Sequence, residues 1–479
     1  MKRFFPLVAA LVLICCCTPQ AKDTPDGGNT SGDEEKSLYY VNLFSYNNMN
    51  SFYLWRDQIT DGLQSWTVDE EPIAKVASLR YKEGEQLVDR WTELMEDYTP
   101  FQSNVTGNGK SFGMDFVLLR VQNSDNVVME ITFTYADSPA RQAGLKRGDI
   151  VMTVDGQTIT MSNYTALLNE KIYNQPGTIA LGMEDGRSVS MTAVKMYANP
   201  VHLARTLETG HTKVGYLHFT GFTLDACTDL VEAFRQFKAD GIRELVLDLR
   251  YNTGGYATTA QVLGSLIAPH DIVKSGAVFN KEVFNSNLAE EMDGETCFSE
   301  SIDVTLSGGK TTLNMLEANP GIERLWVLVT GHTASASESL VCGLMPYMDV
   351  RLVGSQTYGK FCGGYLITAE NWYKLLEKDD TDINCKEALQ YTKTWGLYVI
   401  ASRYTDCKGE TRSMPSGIPV QYDAYDEPRD GFELGNPSES MLSVVLGNIG
   451  GEVFAKPVKS TRERAEVPFE KPGDGVLLH

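Results

Sequence analysis

A strand–turn–helix–strand pattern in residues 325–354 constrains the fold of this chain more than any other feature. Residues 325–330 are apolar and rich in β-branched side chains, which is typical of a short buried strand. Gly331-His332-Thr333 then turns the chain, and residues 337–348 have the apolar spacing of an amphipathic helix. A second short strand follows at 351–354. Strands that alternate with helices in this way predict an α/β core.

The segment Thr333-Ala334-Ser335-Ala336-Ser337-Glu338 places Ser335 at the start of the predicted helix. Free backbone N–H groups and the helix dipole favour negative charge there, so the hydroxyl is a candidate nucleophile. Tyr358-Gly359-Lys360 follows the second strand and supplies a candidate base. The structural alternative is that Ser335 and Glu338 form a capping box while Lys360 is solvated.

A second strand–loop–helix unit lies upstream. Residues 244–250 form a predicted strand and residues 257–267 a predicted helix, and Tyr251-Asn252-Thr253-Gly254-Gly255-Tyr256 joins them. Paired glycines at such a junction let the backbone approach a ligand closely and direct N–H groups at it.

Together these motifs resemble the carboxyl-terminal processing peptidases, also called tail-specific proteases, over about residues 40–450. The matching segments are residues 248–255, 333–338 and 357–360, with Gly215-Tyr216-Leu217 and Gly417-Ile418-Pro419. The resemblance implies a core folded like the crotonase and Clp-protease cores. It also implies that Ser335 is the nucleophile, Lys360 the general base, and the amides of Gly254 and Ala336 the oxyanion hole.

One position departs from the family pattern. Many members carry a glutamine four residues after the lysine, where this chain has Gly364. The third catalytic member is therefore missing or supplied from elsewhere. A Ser/Lys dyad still works in principle, because desolvation favours the neutral amine that a base requires.

The sequence predicts no metal site and no cofactor. The six histidines include no HExxH pair, and no G-x-S-x-G elbow occurs. His332 is the one alternative base, although its position on a turn is more typical of a loop residue.

Residues 101–198, here the PDZ region, change to short strands and turns. Asp137-Ser138-Pro139-Ala140 and the segment 147–156 look like parts of a PDZ domain, in which a strand edge and loop amides capture a peptide carboxylate. The loop is expected at Phe112, Gly113, Met114, Asp115 and Phe116. The alternative is a scaffold whose groove is blunted.

The amino terminus predicts the compartment. A basic start, an apolar run at 4–14 and Cys15-Cys16-Cys17 resemble a bacterial lipoprotein signal over residues 1–17, with Cys16 or Cys17 lipidated. The alternative is an ordinary secretory signal. Residues 18–37 are polar and predict a flexible tether. We therefore expect a lipid-anchored protein of the cell envelope, facing the periplasm or the cell surface.

The other regions complete the predicted multidomain organisation. We expect a helical region at 38–100, in which Leu87, Trp91, Leu94 and Met95 recur at helical spacing; the protease core at 199–432; and at 433–479 a final helix, starting at Leu434, with a poorly packed tail. Residues 285–323 and 370–393 are expected to be polar insertions. Six cysteines remain beyond the amino-terminal cluster, with pairing left open, and Cys342 is expected to be a buried thiol.

Two functions of different classes remain. The first is an envelope-anchored serine endopeptidase that acts on protein or peptide substrates, near carboxyl-terminal tails recognised by the PDZ region. The second is a lipoprotein that binds peptide ends without cleaving them. Polysaccharide binding is a distant third, suggested only by the aromatic residues at 39–55. The formal charge of −21 argues against nucleic acid as a partner, and the family resemblance is compatible with a homo-oligomer.

Overall fold

The structure is a computed structural model and describes residues 30–106, 108–174, 176–377, 383–410, 416–451, 465–469 and 477–478. The predicted signal, with Cys16 and Cys17, lies outside the described residues. The predicted multidomain α/β fold is confirmed: two sheets and their helices form the core, and a third sheet forms the PDZ region. Within the described ranges, no helix combines the length and apolar character that crossing a bilayer requires.

The central sheet of the core has six strands. Its first two strands form an antiparallel hairpin and the others add in parallel. In spatial order the strands are Val201–Thr209, Thr212–Phe219, Glu244–Asp248, Arg324–Val329, Asp349–Gly354 and Tyr422–Asp423. Because every crossover returns the chain in the same direction, the ends of strands Glu244–Asp248 and Arg324–Val329 meet at one edge of the sheet.

Both faces of this sheet are buried, as the apolar strands predict. Alternate strand residues, such as Leu325 and Val327, pack against three helices: Ala226–Asp240, Ala257–Ile267 and Ala336–Leu344. The intervening residues, such as Trp326 and Leu328, pack against the helix Ser440–Gly450. A parallel sheet covered on both faces explains why these strands read as continuous apolar runs.

A second sheet belongs to the core as well. Its path runs through Gly255–Tyr256, Leu477–Leu478, Cys362–Thr368, Gly396–Thr405, Val278–Phe284 and Gly294–Cys297, and Glu93–Met95 also pairs with Gly396–Thr405. The helices Thr30–Phe52, Ala369–Leu376 and Cys385–Thr392 cover it with one apolar cluster.

The third sheet belongs to the PDZ region, with one strand from the carboxyl-terminal tail. In spatial order it contains Ser188–Thr192, Thr178–Met183, Ile150–Val154, Val127–Thr134, Met114–Arg120 and Ala465–Val467, while Gln157–Thr158 pairs with Ile150–Val154. Helices Pro139–Gln142 and Tyr164–Leu168 accompany it, and Asn108–Ser111 pairs with Val194–Tyr197 at its base.

Shorter elements connect these units. They are the helical turns Arg56–Gln58, Thr60–Gln64, Pro72–Ser78, Thr99–Thr106, Asn169–Asn174, His270–Ser275, Ala289–Met292 and Met315–Ala318, and the hairpins Lys82–Glu83 with Gln86–Leu87 and Ser301–Leu306 with Gly309–Asn314. The polar insertion at 285–323 thus contains regular structure, and the described parts of 370–393 contain the helices Ala369–Leu376 and Cys385–Thr392.

The helical prediction for residues 87–95 is wrong. Leu94 and Met95 lie in the strand Glu93–Met95, where they pair with Leu397 and Gly396. The apolar spacing fitted a helix, but the tertiary partner decides the conformation of such a short segment. The preceding helix also begins at Thr30, inside the predicted tether.

The aromatic residues at 39–55 mostly belong to the core. Tyr40, Phe44 and Tyr53 are buried, and the Phe44 ring meets the Trp372 ring with 5.7 Å between centroids. These side chains join the amino-terminal helix to the predicted insertion at 370–393. The burial leaves little aromatic surface for a polysaccharide.

The structure revises the predicted bounds of two helices and agrees with the predicted burial of one cysteine. The helix after Ser335 is Ala336–Leu344, shorter than predicted, and the last long helix is Ser440–Gly450 rather than one that starts at Leu434. The Glu439 carboxylate accepts the Leu442 N–H at 2.9 Å and so fixes that later start. Within the described residues the six cysteines form no disulfide bond, and Cys342 is buried as expected.

The tail prediction is wrong for its described parts. Residues Ala465–Val467 and Leu477–Leu478 are strands of two different sheets, rather than loosely packed chain. Charge and proline content predicted poor packing, but backbone pairing to an existing sheet edge does not depend on an apolar sequence.

A buried ionic network joins the PDZ region to the core. Arg147 donates to Asp426 at 2.6 Å and to the Tyr251 hydroxyl at 2.7 Å, while Arg250 donates to Asp426 at 2.9 Å and to Glu439 at 2.6 Å. Burial alone would raise the pKa of Asp426, but the two guanidinium groups hold it well below its usual range. The PDZ region is therefore fixed to the loop that follows strand Glu244–Asp248.

Replacing Arg147 with alanine should lower the free energy of unfolding by about 3–5 kcal/mol, because it leaves the Asp426 carboxylate buried with one partner fewer. Urea denaturation followed by circular dichroism measures the change. Arg141→Ala is the matched control, since Arg141 is half exposed and lies 3.8 Å from Glu433; it should cost at most about 1 kcal/mol. Equal losses for the two variants would contradict the structural role of the network.

Candidate active site

The candidate site forms where two loops of the central sheet are bonded together. The Asn252 carbonyl accepts the Ala334 N–H at 3.2 Å and the Ser337 hydroxyl at 3.1 Å. The Thr333 hydroxyl donates to the Leu249 carbonyl at 2.8 Å. Because these bonds join the glycine loop, residues 249–255, to the serine turn, residues 331–335, the two segments have one fixed geometry.

Ser335 has an unfavourable backbone conformation at the centre of this geometry. Its φ is +59° and its ψ is −113°, a region that residues with a side chain rarely adopt. The side chain is 1% exposed, and its Oγ makes no hydrogen bond within the described residues. This backbone conformation presents the hydroxyl at the amino-terminal end of helix Ala336–Leu344.

Lys360 lies next to Ser335, although the two are far apart in sequence. The Ser335 N–H donates to the Lys360 carbonyl at 3.2 Å. The lysine side chain is fully buried, and its Nζ is 4.6 Å from the Trp91 ring centroid and 5.3 Å from that of Tyr398. Burial favours the neutral amine, while the ring faces offset part of the cost when the amine is protonated. The structure thus brings the two residues together, and their catalytic roles stay predictions.

Glu338 connects the serine turn to the lysine loop, residues 357–360. One carboxylate oxygen accepts the N–H groups of Ser335 at 3.1 Å and Lys360 at 2.8 Å. The other accepts the Thr357 hydroxyl at 2.5 Å and the Gly359 N–H at 2.9 Å. Burial raises the pKa of Glu338 to about 7, although these hydrogen bonds act to lower it.

Sequence reasoning treated Glu338 only as a capping residue and missed its link to Lys360. The available signal was its place three residues after Ser335, which identifies the bond to the Ser335 N–H but not the three bonds to the lysine loop.

The predicted Gly417-Ile418-Pro419 motif supports the same loop from its other side. The Ile418 N–H donates to the Thr357 hydroxyl at 2.7 Å, and the Thr357 N–H donates to the Ile418 carbonyl at 3.2 Å. Gly417 has a φ of +81°, and an added Cβ would lie 2.0 Å from the Thr357 carbonyl oxygen. Only glycine fits this close approach.

The two predicted oxyanion donors, the backbone N–H groups of Ala336 and Gly254, differ in their hydrogen bonding. Ala336 is the first residue of its helix, where a backbone N–H has no acceptor within the helix. The Gly254 N–H donates instead to the Asn252 side-chain oxygen at 3.0 Å. In this structure, then, the Gly254 amide is engaged, and it must leave Asn252 before it can bind an oxyanion.

The predicted PDZ loop and the glycine loop line one cavity of about 450 Å³. Phe112, Met114 and Asp115 lie on its PDZ side, and Thr253, Gly254 and Gly255 on its core side. The Gly113 N–H donates to the Ser111 hydroxyl at 2.9 Å, and Phe116 is buried in the PDZ core. Three of the five predicted loop residues therefore face the space that leads to the glycine loop.

The surroundings of two further residues bear on the predictions made for them. His332 is the predicted alternative base, and Gly364 stands where many family members carry a glutamine. The His332 Nε2 lies 2.5 Å from the Glu466 carboxylate, on a half-exposed part of the serine turn. At Gly364, an added Cβ would lie 2.3 Å from the Val399 carbonyl oxygen. This contact between the added Cβ and the carbonyl oxygen leaves no room for a glutamine side chain. The absence of glutamine at position 364 therefore has a steric reason.

Comparison with known proteins gives the same outline. Residues 213–405 match Peptidase family S41, and residues 130–171 match the PDZ domain. A Probable CtpA-like serine protease of Staphylococcus saprophyticus is 26% identical over 278 residues, which cover 57% of this chain and 50% of the relative. The Carboxyl-terminal-processing protease of Synechocystis is 25% identical over 345 residues, covering 68% and 71%. The chain spans about half the length of the staphylococcal relatives it matches.

One solved structure supports the fold. A crystal structure from Bacteroides fragilis, named "Putative S41 protease", aligns with a TM-score of 0.63 at 21% identity and covers 85% of this chain and 97% of its own. At that identity the likeness is one of fold.

The raised pKa of Glu338 predicts a pH-dependent stability. The folded chain holds the proton on Glu338 up to about pH 7, whereas the carboxyl group of an unfolded chain, with a pKa of 4.5, releases it near pH 4.5. The stabilisation of the folded chain by this bound proton is complete below about pH 4.5 and is lost as the pH rises through about 7. The resulting change in the free energy of unfolding is on the order of 3 kcal/mol. The unfolding free energy of wild type should fall over this range relative to that of Glu338→Gln. The matched control is Glu232→Gln, at an exposed carboxylate; a profile in which both variants parallel wild type would refute the prediction.

Introducing glutamine at position 364 should destabilise the folded protein. Gly364→Gln forces a side chain against the Val399 carbonyl and should cost about 1–3 kcal/mol in unfolding free energy, with no gain in activity. Gly294→Gln serves as the control in the same sheet, because the nearest atom to its added Cβ is 3.6 Å away. A more active and equally stable Gly364→Gln variant would show that the site accommodates the side chain.

Proposed function

We propose that the chain is a serine endopeptidase that cleaves protein or peptide substrates near their carboxyl-terminal tails, since residues 213–405 match Peptidase family S41 and residues 130–171 match the PDZ domain. The observation that carries this proposal is the set of bonds from the Glu338 carboxylate to the backbone of both Ser335 and Lys360. A buried carboxylate that holds these two residues side by side gives the fixed geometry that nucleophilic catalysis requires.

In the proposed reaction, neutral Lys360 takes the proton of the Ser335 hydroxyl as its Oγ attacks the substrate carbonyl carbon. The resulting oxyanion accepts hydrogen bonds from the Ala336 N–H and from the Gly254 N–H once the latter leaves Asn252. Lys360 then gives the proton to the departing amine, and the peptide C–N bond breaks. A water molecule deprotonated by the same lysine hydrolyses the acyl-enzyme.

The PDZ region gives the proposed preference for tails. A substrate whose carboxyl end binds at Phe112–Asp115 has its upstream residues directed through the cavity toward Gly254 and Gly255. The lining residues on both sides of this cavity support a path from end recognition to cleavage.

The proposed location is the bacterial cell envelope, with a lipid anchor on Cys16 or Cys17. Its support is the sequence alone: a basic start, a short apolar run and the cysteine cluster. Metabolic labelling with a fatty acid, compared between wild type and the variants Cys16→Ser and Cys17→Ser, identifies the lipidated residue. A mature protein without label would refute the anchor.

The engaged Gly254 amide and the missing glutamine favour a second candidate, a protein that binds peptide ends without cleaving them. The two candidates differ in turnover alone, so measuring cleavage and binding on the same peptides separates them.

Substitution of either member of the dyad should abolish cleavage. Ser335→Ala and Lys360→Ala are each expected to lower kcat by roughly 10⁴- to 10⁶-fold on an unfolded protein, because the nucleophile and its base act as one unit. Amidating the carboxyl end of a peptide substrate should lower kcat/KM by about 10- to 100-fold, through loss of a charged hydrogen-bond acceptor.

The controls are Ser301→Ala and Lys393→Ala, which change an exposed serine and an exposed lysine outside the site. Wild-type binding of free-ended peptides without any cleavage would support the binding protein instead. Cleavage by Ser335→Ala would refute the assignment of the nucleophile.

A further inference from the structure

The edge of the PDZ sheet already holds a peptide strand, and that strand comes from this chain. Ala465–Val467 pairs antiparallel with Met114–Arg120, with Ala465 opposite Arg120 and Val467 opposite Leu118. The strand Met114–Arg120 begins within the predicted carboxylate loop, residues 112–116. The tail segment, residues 465–469, therefore has the position and direction of a ligand bound by strand addition.

Side chains anchor the tail segment as well as its backbone. The Phe469 ring lies 6.0 Å from the rings of Phe116 and Tyr173 and 6.3 Å from that of Tyr164, measured between centroids. The Tyr164 hydroxyl donates to the Pro468 carbonyl at 3.2 Å. Three aromatic rings of the PDZ region thus form a pocket for an aromatic side chain.

The same segment contacts the serine turn. The Glu466 carboxylate lies 2.5 Å from the His332 Nε2, three residues before Ser335. A ligand bound at the PDZ edge is therefore also bonded to the turn that positions the candidate nucleophile.

The last described residues lie on the other side of the candidate site. Leu477–Leu478 pairs in parallel with Gly255–Tyr256, and Leu478 also pairs with Gly364. These partners come directly after Gly254 and shortly after Lys360. Both described parts of the tail consequently occupy strand edges that flank the proposed path of a substrate.

We propose that residues 465–469 are an intramolecular ligand of the PDZ edge and compete there with peptide substrates. The ligand class is an extended peptide in which an apolar residue and a proline precede an aromatic residue. Phe469 is not the last residue of the chain, so the anchor is its ring rather than a free carboxylate. The competition rests on the proposed function for its substrate, but occupancy of the edge does not.

A tethered segment is a strong competitor. Its effective concentration is on the order of millimolar, so a free peptide whose own Kd is about 0.1 mM should bind about tenfold more weakly while the segment is in place. Removing the segment should restore the affinity and raise kcat/KM for tail-bearing substrates by a similar factor.

The first test measures binding by fluorescence anisotropy in the Ser335→Ala background, where cleavage does not interfere. The probe is a fluorescein-labelled, amidated peptide with the sequence of residues 465–469, compared with the same peptide carrying alanine for phenylalanine. A chain truncated after Gly451 should bind the first probe about tenfold more tightly than the full chain and should discriminate against the second.

The point variant Phe469→Ala keeps the chain length and should reproduce most of the gain in affinity. Ala465→Ser is its matched control, because Ala465 is an exposed residue of the same strand and should leave affinity unchanged. Thermal unfolding of each variant, followed by circular dichroism, establishes that the PDZ region is folded.

Equal affinity of the probe for the full chain, the truncated chain and Phe469→Ala would overturn the proposal, as would a truncated chain that is folded and binds no probe. If removal of the segment unmasks binding while the Ser335-containing protein cleaves nothing, the inference stands and the proposed peptidase function fails. If cleavage depends on Ser335 but not on the tail segment, the peptidase function stands and the competition fails.

Discussion

The candidate site depends on one buried carboxylate. Glu338 lies on the helix that follows Ser335, the candidate nucleophile, yet three of its four hydrogen bonds reach the lysine loop. Without an acceptor at this point, three donors of that loop would be buried without partners, and the strained backbone of Ser335 would lose the bond to its N–H. The site is thus positioned mainly by backbone groups, which explains how short loops maintain an unfavourable conformation.

A second set of charges relates this site to the PDZ region. Tyr251 lies in the glycine loop, and its hydroxyl bonds both Arg147 of the PDZ region and Asp426 of the core. Three residues later, the Gly254 amide, a predicted oxyanion donor, donates to the Asn252 side-chain oxygen. A displacement of the PDZ region would therefore act on the glycine loop through Tyr251.

Sequence reasoning reached the parts of this structure that short segments determine by themselves. The strands around Glu244–Asp248 and Arg324–Val329, the helix Ala257–Ile267 and the pairing of Ser335 with Lys360 follow from apolar runs, glycines and motifs. It failed where a distant partner decides the outcome. Leu94 became a strand residue because Leu397 lies opposite it, and the charged tail became ordered because a sheet edge was available. The role of Glu338 could not be predicted for the same reason, since its bonds to the lysine loop exist only after folding.

The ionic network also sets when the site can form during synthesis. Arg250 is fully buried beside Asp248, and its charge is balanced in part by Glu439, which the ribosome adds almost two hundred residues later (189 positions apart). A nascent chain that lacks Glu439 and Asp426 would have to bury Arg147 and Arg250 with too few counter-charges, at a cost of several kcal/mol. The glycine loop can therefore adopt its final geometry only when nearly the whole polypeptide has emerged. The candidate site is therefore completed late, after the PDZ region and most of the core have been synthesised.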